Sequence, residues 1–384
     1  MVVRKLEKEK MVSADNITQL VDVEPETSDG PVLMDKPFNP AEIDITTKSL
    51  TVDLLIKRLE ADPIEIDLTP EFQRGLNLWN KKQQSQLIES LLIKFPLPAF
   101  YFDGTNNNNW LVIDGLQRLC ALNNFVVSKT LKLVGMEFLD KLEGKGFDDL
   151  SRNLQRDIEE SQITAYIVNP GTPDDVKFNI FKRLNTGGLV LTPQEIRHAL
   201  NQGTPAKFIE ELASSQEFRD ATGGINPERM LDREFVTRFF AFYISPVSEY
   251  KPDLDSYMNN RMQTIKNIPE DTLNEIKYNF IESMNLTKDI FGKHSFRKVF
   301  NKDDSRNRIN KALFEVWSVT LAKLPDKDRD ILRKRNYIVF DDFIMLLKED
   351  DFFIASISSS TDDKKKTEYR YQKINGLING VLGK

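Results

Sequence analysis

Trp110-Leu-Val-Ile-Asp114-Gly115-Leu116-Gln117-Arg118-Leu-Cys-Ala-Leu122 reads as a buried strand, a glycine turn and a helix that opens on an arginine. The first turn of a helix carries unpaired backbone N–H groups and the positive end of the macrodipole. A cation there is mildly unfavourable unless an anion or carboxylate lies opposite. Two partners for Arg118 satisfy that condition: a ligand phosphate, for which the guanidinium fork is suited, or a carboxylate of the chain such as Asp67 or Glu71. The spacing Asp114-x-x-Gln117 also fits a capping box, which needs no ligand at all.

Upstream, Ala99-Phe-Tyr-Phe-Asp103 is a second β-rich run, and Gly104 with four asparagines separates it from Trp110, so the two runs form a hairpin. Asn80 and Gln83 predict a capping box opening a helix whose apolar face is Leu87, Ile88, Leu91, Leu92 and Phe95, stopped by Pro96 and Pro98. Thr51-Val-Asp-Leu-Leu-Ile-Lys-Arg-Leu59 has helical spacing, and Ile64-Glu-Ile-Asp-Leu68 alternates as a short strand does. Phe72-Gln73-Arg74-Gly75 and Trp79 follow that strand, Trp79 as a packing residue. Downstream, Ile163-Thr-Ala-Tyr-Ile-Val168 is a strand. A helix with Val176, Ile180, Phe181 and Leu184 on one face then runs to Asn185-Thr186-Gly187-Gly188, and Thr192-Pro193-Gln194-Glu195 starts the next helix with a capping box. The two glycines serve equally as a helix stop or as a loop offering N–H groups to phosphate. Arg183 and Arg197 read as exposed helical arginines.

The fold expected is α+β. Residues 1–45, rich in Asp, Glu, Pro and Ser, form a mobile tail; 46–203 form a mixed core; and 204–384, helical almost throughout, form a helical domain. Composition narrows the function. The 384 residues carry a formal charge of −6, which argues against a protein coated in basic surface while allowing a local basic groove. No apolar run is long enough to span a bilayer and the first ten residues have no secretion-signal character, so a cytoplasmic protein without membrane contact is expected. One cysteine, Cys120, and two histidines, His198 and His294, leave no zinc cluster. No Gly-x-x-x-x-Gly-Lys-[Ser/Thr] motif occurs. Cys120, among Leu119, Ala121 and Leu122, reads as a small core residue.

Phe72-Gln73-Arg74 with Trp79, then Val112-Ile-Asp114-Gly115-Leu116-Gln117-Arg118, then Phe181-Lys-Arg183-Leu-Asn185-Thr-Gly187-Gly188 resemble, in order and spacing, the motifs of the GmrSD-type restriction endonuclease amino-terminal family. The resemblance extends into Glu228-Arg-Met-Leu-Asp-Arg-Glu-Phe and Leu254-Asp-Ser-Tyr-Met. It implies a core similar to ParB and sulfiredoxin, and an association with nucleotide binding or hydrolysis in bacterial defence against foreign or modified DNA. It further implies Asp114, Gln117, Arg118 and Gln73 as catalytic residues. Arg74, Gly115, Arg118, Asn185, Thr186, Gly187 and Gly188 would bind the phosphates, and Asp114 would hold Mg2+ beside a nucleoside triphosphate. Leu116 departs from the family's best-known Asp-Gly-Gln-Gln-Arg form and reads as a packing residue. His294 lacks the surroundings of the family's carboxy-terminal nuclease, so a standalone form is expected, with partners drawn from a nucleotide, DNA, a separate nuclease or defence protein, and further copies of the chain. The alternatives to an NTP hydrolase are a ParB-like DNA-binding or adaptor module and a DNA-nicking enzyme using the same residues.

Overall fold

The computed structural model describes residues 21–26, 39–66, 68, 79–106, 108–184 and 191–384. The chain divides into two compact units, one of residues 35–200 and one of residues 1–34 with 201–384. The fold is α+β: a small four-stranded sheet belongs to the first unit and the second is helical.

In the sheet unit the strands are β1 (Ile45–Thr51), β2 (Phe100–Asp103), β3 (Leu111–Asp114) and β4 (Gln162–Val168), in the order β1-β4-β2-β3. β1 runs antiparallel to β4, β4 parallel to β2, and β2 antiparallel to β3 as the expected hairpin. The helices are α1 (Val52–Leu59), α2 (Lys81–Leu92), α3 (Leu116–Leu122), α4 (Arg152–Glu159), α5 (Asp174–Leu184) and α6 (Pro193–Leu200). Alternation sorts the strand side chains: Phe100, Phe102, Val112, Ile163, Ala165 and Ile167 are buried with Leu55 of α1, Ile88 of α2 and Leu119 of α3 in one core.

Of the three capping boxes that the spacing allows, those at Asn80 and Thr192 form. Asn80 Oδ1 accepts from the Gln83 N–H while Gln83 Oε1 accepts from the Asn80 N–H; Thr192 and Glu195 do the same at the start of α6. Three readings need correction. α2 stops at Leu92, before Lys94 at φ 58°, and Phe95 stands 64% exposed rather than on the apolar face. The strand expected at 64–68 is a single bridge from Ile66 to Trp110. Arg197 is buried, its Nε donating to Gln194 Oε1 at 2.9 Å.

The second unit contains α7 (Thr204–Ala213), α8 (Gln216–Thr222), α9 (Leu231–Tyr243), α10 (Leu254–Thr264), α11 (Glu270–Phe291), α12 (Lys311–Ala322), α13 (Asp326–Lys334), α14 (Asn336–Glu349), α15 (Asp351–Ser358) and α16 (Lys364–Leu382). α12 is buried along its whole length, Trp317 packing edge-on against Phe291 and Phe343. Inside this apolar bundle Glu315 accepts from Arg238 Nε and from Arg370 Nη2, both at 2.8 Å, with all three side chains no more than 1% exposed. Residues 21–26, within the segment read as a tail, are held in this unit by backbone bridges of Val21 to Ile225 and of Val23 to Ile309.

Candidate functional site

The site is built on the turn from β3 to α3. Gly115 has φ 105°, and a Cβ added there would lie 2.5 Å from the Phe100 ring. Both facts require glycine, and they let the chain leave β3 and enter α3 without a gap. Gly115 occupies the N-cap position and no side chain caps the helix. The capping-box reading of Asp114 and Gln117 is therefore replaced by two longer-range contacts. Gln117 Oε1 accepts from the Trp79 N–H at 2.9 Å, tying the start of α3 to the residue before the Asn80 cap. Gln84 Nε2 donates to the Trp79 carbonyl at 2.6 Å and completes the tie.

Asp114 goes to Arg118. Arg118 Nη2 donates to Asp114 Oδ2 at 2.8 Å and to the Ala99 carbonyl at 3.2 Å, Nη1 donates to the Pro98 carbonyl, and the guanidinium carbon lies 4.3 Å from the centre of the Phe100 ring. The cation that looked misplaced at a helix start is thus enclosed by two carbonyls, a carboxylate and an aromatic face. Burial lowers its pKa from the ordinary arginine value, and Asp114 opposes that shift. The partner is Asp114 one turn away. The two side chains differ in exposure: Arg118 is 8% exposed and Asp114 39%. A phosphate reaching Arg118 would have to displace protein acceptors, whereas Asp114 is held on one oxygen and open to solvent.

Two residues that sequence reasoning missed lie on the same stretch of the sheet, Tyr101 beside the carboxylate and Tyr166 one strand further away. Tyr101 pairs with Asp114 in the hairpin register and with Tyr166 across β2 and β4; the tyrosine rings stack at 4.9 Å. Burial, then Tyr166 and Asp114, push the Tyr101 hydroxyl above its ordinary pKa, with Arg118 acting against them. The signal was available: tyrosines alternating with Phe100 and Phe102, and with Ala165 and Ile167, face away from the core.

A second polar cluster lies two residues further along β2. Lys177 of α5, 4% exposed, donates to Thr105 Oγ1 at 2.6 Å and lies 3.7 Å from Asp103 Oδ2 and 3.4 Å from Asp174 Oδ1. Asp103 Oδ1 accepts from the Thr105 N–H at 2.8 Å and from its hydroxyl. A lysine inside the otherwise buried run Val176-Lys177-Phe178 was the signal for it.

Gln73, Arg74, Asn185, Thr186, Gly187 and Gly188 lie outside the described residues. Leu116 packs in the core at 8% exposed. Burial pushes the Cys120 thiol up to about 11, which keeps it protonated and unreactive at neutral pH. His294 is buried against the Lys302 carbonyl. Among the described residues no group of three or more His, Cys, Asp or Glu side chains is placed to hold a metal ion, and no helix is long and apolar enough to cross a membrane.

Residues 56–201 match the GmrSD restriction endonuclease, N-terminal domain. The match is consistent with a GmrSD-type N-terminal domain over this segment. The match contains Asp114, Arg118, Tyr101, Tyr166 and Lys177, together with the candidate residues outside the described set. It connects the chain with restriction and antiphage systems. No curated protein matches the chain.

Proposed function

We propose that the chain is a nucleoside-triphosphate-binding and hydrolysing component of a bacterial antiphage or DNA-restriction system, acting in the cytoplasm on a ParB-like core. Asp114 is its reactive carboxylate and Arg118 the residue that positions it. The observation that carries this reading is the unequal exposure of the pair at the β3–α3 turn, within the segment that matches the GmrSD N-terminal domain. A buried arginine, fixed by the Pro98 and Ala99 carbonyls, holds one oxygen of a carboxylate that is otherwise open.

Fixed in that way, Asp114 can accept a proton from an attacking water, at no cost in reorganisation when the reaction occurs. As the alternative role for that one free carboxylate oxygen, it fits the way Mg2+ is commonly held, by one or two carboxylates plus substrate phosphates and water. Bound there, the ion would neutralise phosphate charge and favour displacement at phosphorus. Gln117 holds the wall of the site through Trp79. Because the donors of Arg118 face protein acceptors, the phosphate ligands in this reading are Arg74 and the backbone of residues 185–188, with Gln73 as the residue that orients water.

Purified chain incubated with Mg2+ and each nucleoside triphosphate in turn, beside Asp114→Asn, tests the reading. Phosphate release that falls at least about a hundredfold in the variant is expected for loss of an acid–base group. Equal release from both proteins sinks it. Nucleotide retained without release points instead to a ParB-like adaptor, and conversion of supercoiled plasmid to open circles points to a nicking enzyme.

A further inference from the structure

Residues Val21-Asp22-Val23-Glu24-Pro25-Glu26 lie across the helical unit as an extended peptide lies in a groove. The Val21 N–H donates to the Gly224 carbonyl at 3.0 Å and the Glu24 N–H to the Ile309 carbonyl at 2.8 Å. The Ile309 N–H donates to the Asp22 carbonyl at 3.1 Å. Val21 and Val23 pack on the apolar core from one side. Each acidic residue meets its own base. Asp22 pairs with Arg308 at 2.7 Å and Glu24 with Lys298 at 2.6 Å. Glu26 pairs with Arg238 at 2.8 Å and lies 3.6 Å from Lys311. Backbone addition with alternate side chains read by separate pockets is a recurring mode of peptide recognition.

The receiving surface is carried by helices that pack on one another. Arg238 and Lys311 project from α9 and α12, which are joined through Phe235 against Phe314 in the bundle core. It depends on an anion. Arg238, Arg370 and Lys311 are three clustered cations, and among the described residues the carboxylates facing them besides Glu26 are Glu315 and Glu234. Glu26 is an imperfect occupant: it accepts from Arg238 Nη1 and from the Thr361 hydroxyl at 2.6 Å, but buried Arg238 Nη2 has no hydrogen-bond partner among the described residues. At the other end the Asp22–Arg308 pair is more than half exposed and so contributes little.

We propose that the helical unit carries a binding groove for an extended acidic peptide, with carboxylates at alternate positions between small apolar residues. Residues 21–26 are its built-in, exchangeable occupant. Extended backbone places carboxylates at alternate positions about 6.6 Å apart, two residues along a strand, and they pair in order with Arg308, Lys298 and Arg238. A partner protein with such a segment docks by displacing them, and the covalently attached segment sets the threshold through its effective concentration. The backbone hydrogen bonds and the valine contacts favour a peptide over a nucleic acid, which offers neither.

The test uses the full-length chain and a fluorescein-labelled peptide of the sequence of residues 21–26, read by anisotropy. Glu24→Gln/Glu26→Gln loosens the internal segment, so the peptide should bind this variant at least about tenfold more tightly than the unaltered chain. Binding should weaken with salt and disappear when both peptide glutamates are glutamine. Equal affinity for both proteins, or for a scrambled peptide, overturns the proposal, as does tighter binding of a single-stranded oligonucleotide than of the peptide. Should the variant not fold, amide exchange on the unaltered chain decides. The Glu24 and Ile309 amides should exchange at least about tenfold faster than those in the middle of α12. Exchange only together with α12 would mean the segment is a fixed part of the bundle and overturns the proposal.

Discussion

Arg118 in the sheet unit and Arg238 in the helical unit are both buried, both paired with carboxylates, and built for different work. Arg238 shares Glu315 with Arg370, and neither member of either pair is more than 1% exposed. Arg118 faces a carboxylate that is 39% exposed. In the Glu315 pairs both charges have left water and their mutual attraction must compensate for that; such a network specifies how helices fit, and it reaches solvent through the second partner of Arg238, Glu26, which is 32% exposed. At Arg118 the cation is held by the protein and the anion is left in contact with solvent. The same asymmetry occurs at Arg238–Glu26 and Arg329–Asp326, so what marks the candidate site is that asymmetry placed at the β3–α3 turn of the matched segment.

The largest expected effect breaks the helical side of the comparison. Glu315→Gln leaves Arg238 and Arg370 facing a neutral partner, and removing one member of a buried pair costs roughly 3–5 kcal/mol. A denaturant titration should show the loss, with phosphate release by the remaining folded protein unchanged. Next is Gly115→Ala. Its φ of 105° and the approach to Phe100 make the substitution strained, and a cost of about 1–3 kcal/mol in chemical denaturation is expected, together with loss of activity as the Asp114 turn shifts. Asp114→Asn should reverse the balance, with stability within roughly 1 kcal/mol of the parent and activity abolished. Comparable losses of both would place Asp114 with the structural pairs instead.

Acid sharpens the same contrast through Glu26. Burial raises its pKa, but Arg238, Lys311 and the hydrogen bonds outweigh it and hold the carboxyl at about 2, below the ordinary 4.5. A depressed pKa gives stability that is fully present above the unfolded value and lost as pH falls from about 4.5 through about 2. The stability advantage of the parent chain over Glu26→Gln should therefore be constant near neutrality and vanish across that window, measured by thermal melts at stepped pH. Tyr101→Phe is expected to do least to the fold, because the ring stack with Tyr166 survives.

The sheet unit was legible where patterns were strong: the hairpin, β4, α1, and the capping boxes at Asn80 and Thr192. β1 was not, because Ile45-Thr-Thr-Lys-Ser-Leu-Thr51 is mostly polar and its strand character comes from pairing with β4, which no local pattern reveals. The site was legible to the level of the turn. Helix-dipole reasoning identified that Arg118 needed an acceptor, yet not which. Pro98, Ala99 and Asp114 became its partners through the antiparallel register that brings the entry to β2 beside the end of β3. Tyr166 and Lys177 escaped for the same reason, each acquiring its role from a residue more than sixty positions away.

Gly115 also affects how a mutational scan of this turn would read. Every substitution there meets the Phe100 ring and a left-handed backbone, so the position should tolerate glycine alone whether or not a ligand ever binds. Intolerance at Gly115 is a property of the hinge and carries no information about chemistry. Asp114, whose side chain is partly open and whose backbone any residue can adopt, is the neighbouring position where selection for activity and selection for folding come apart.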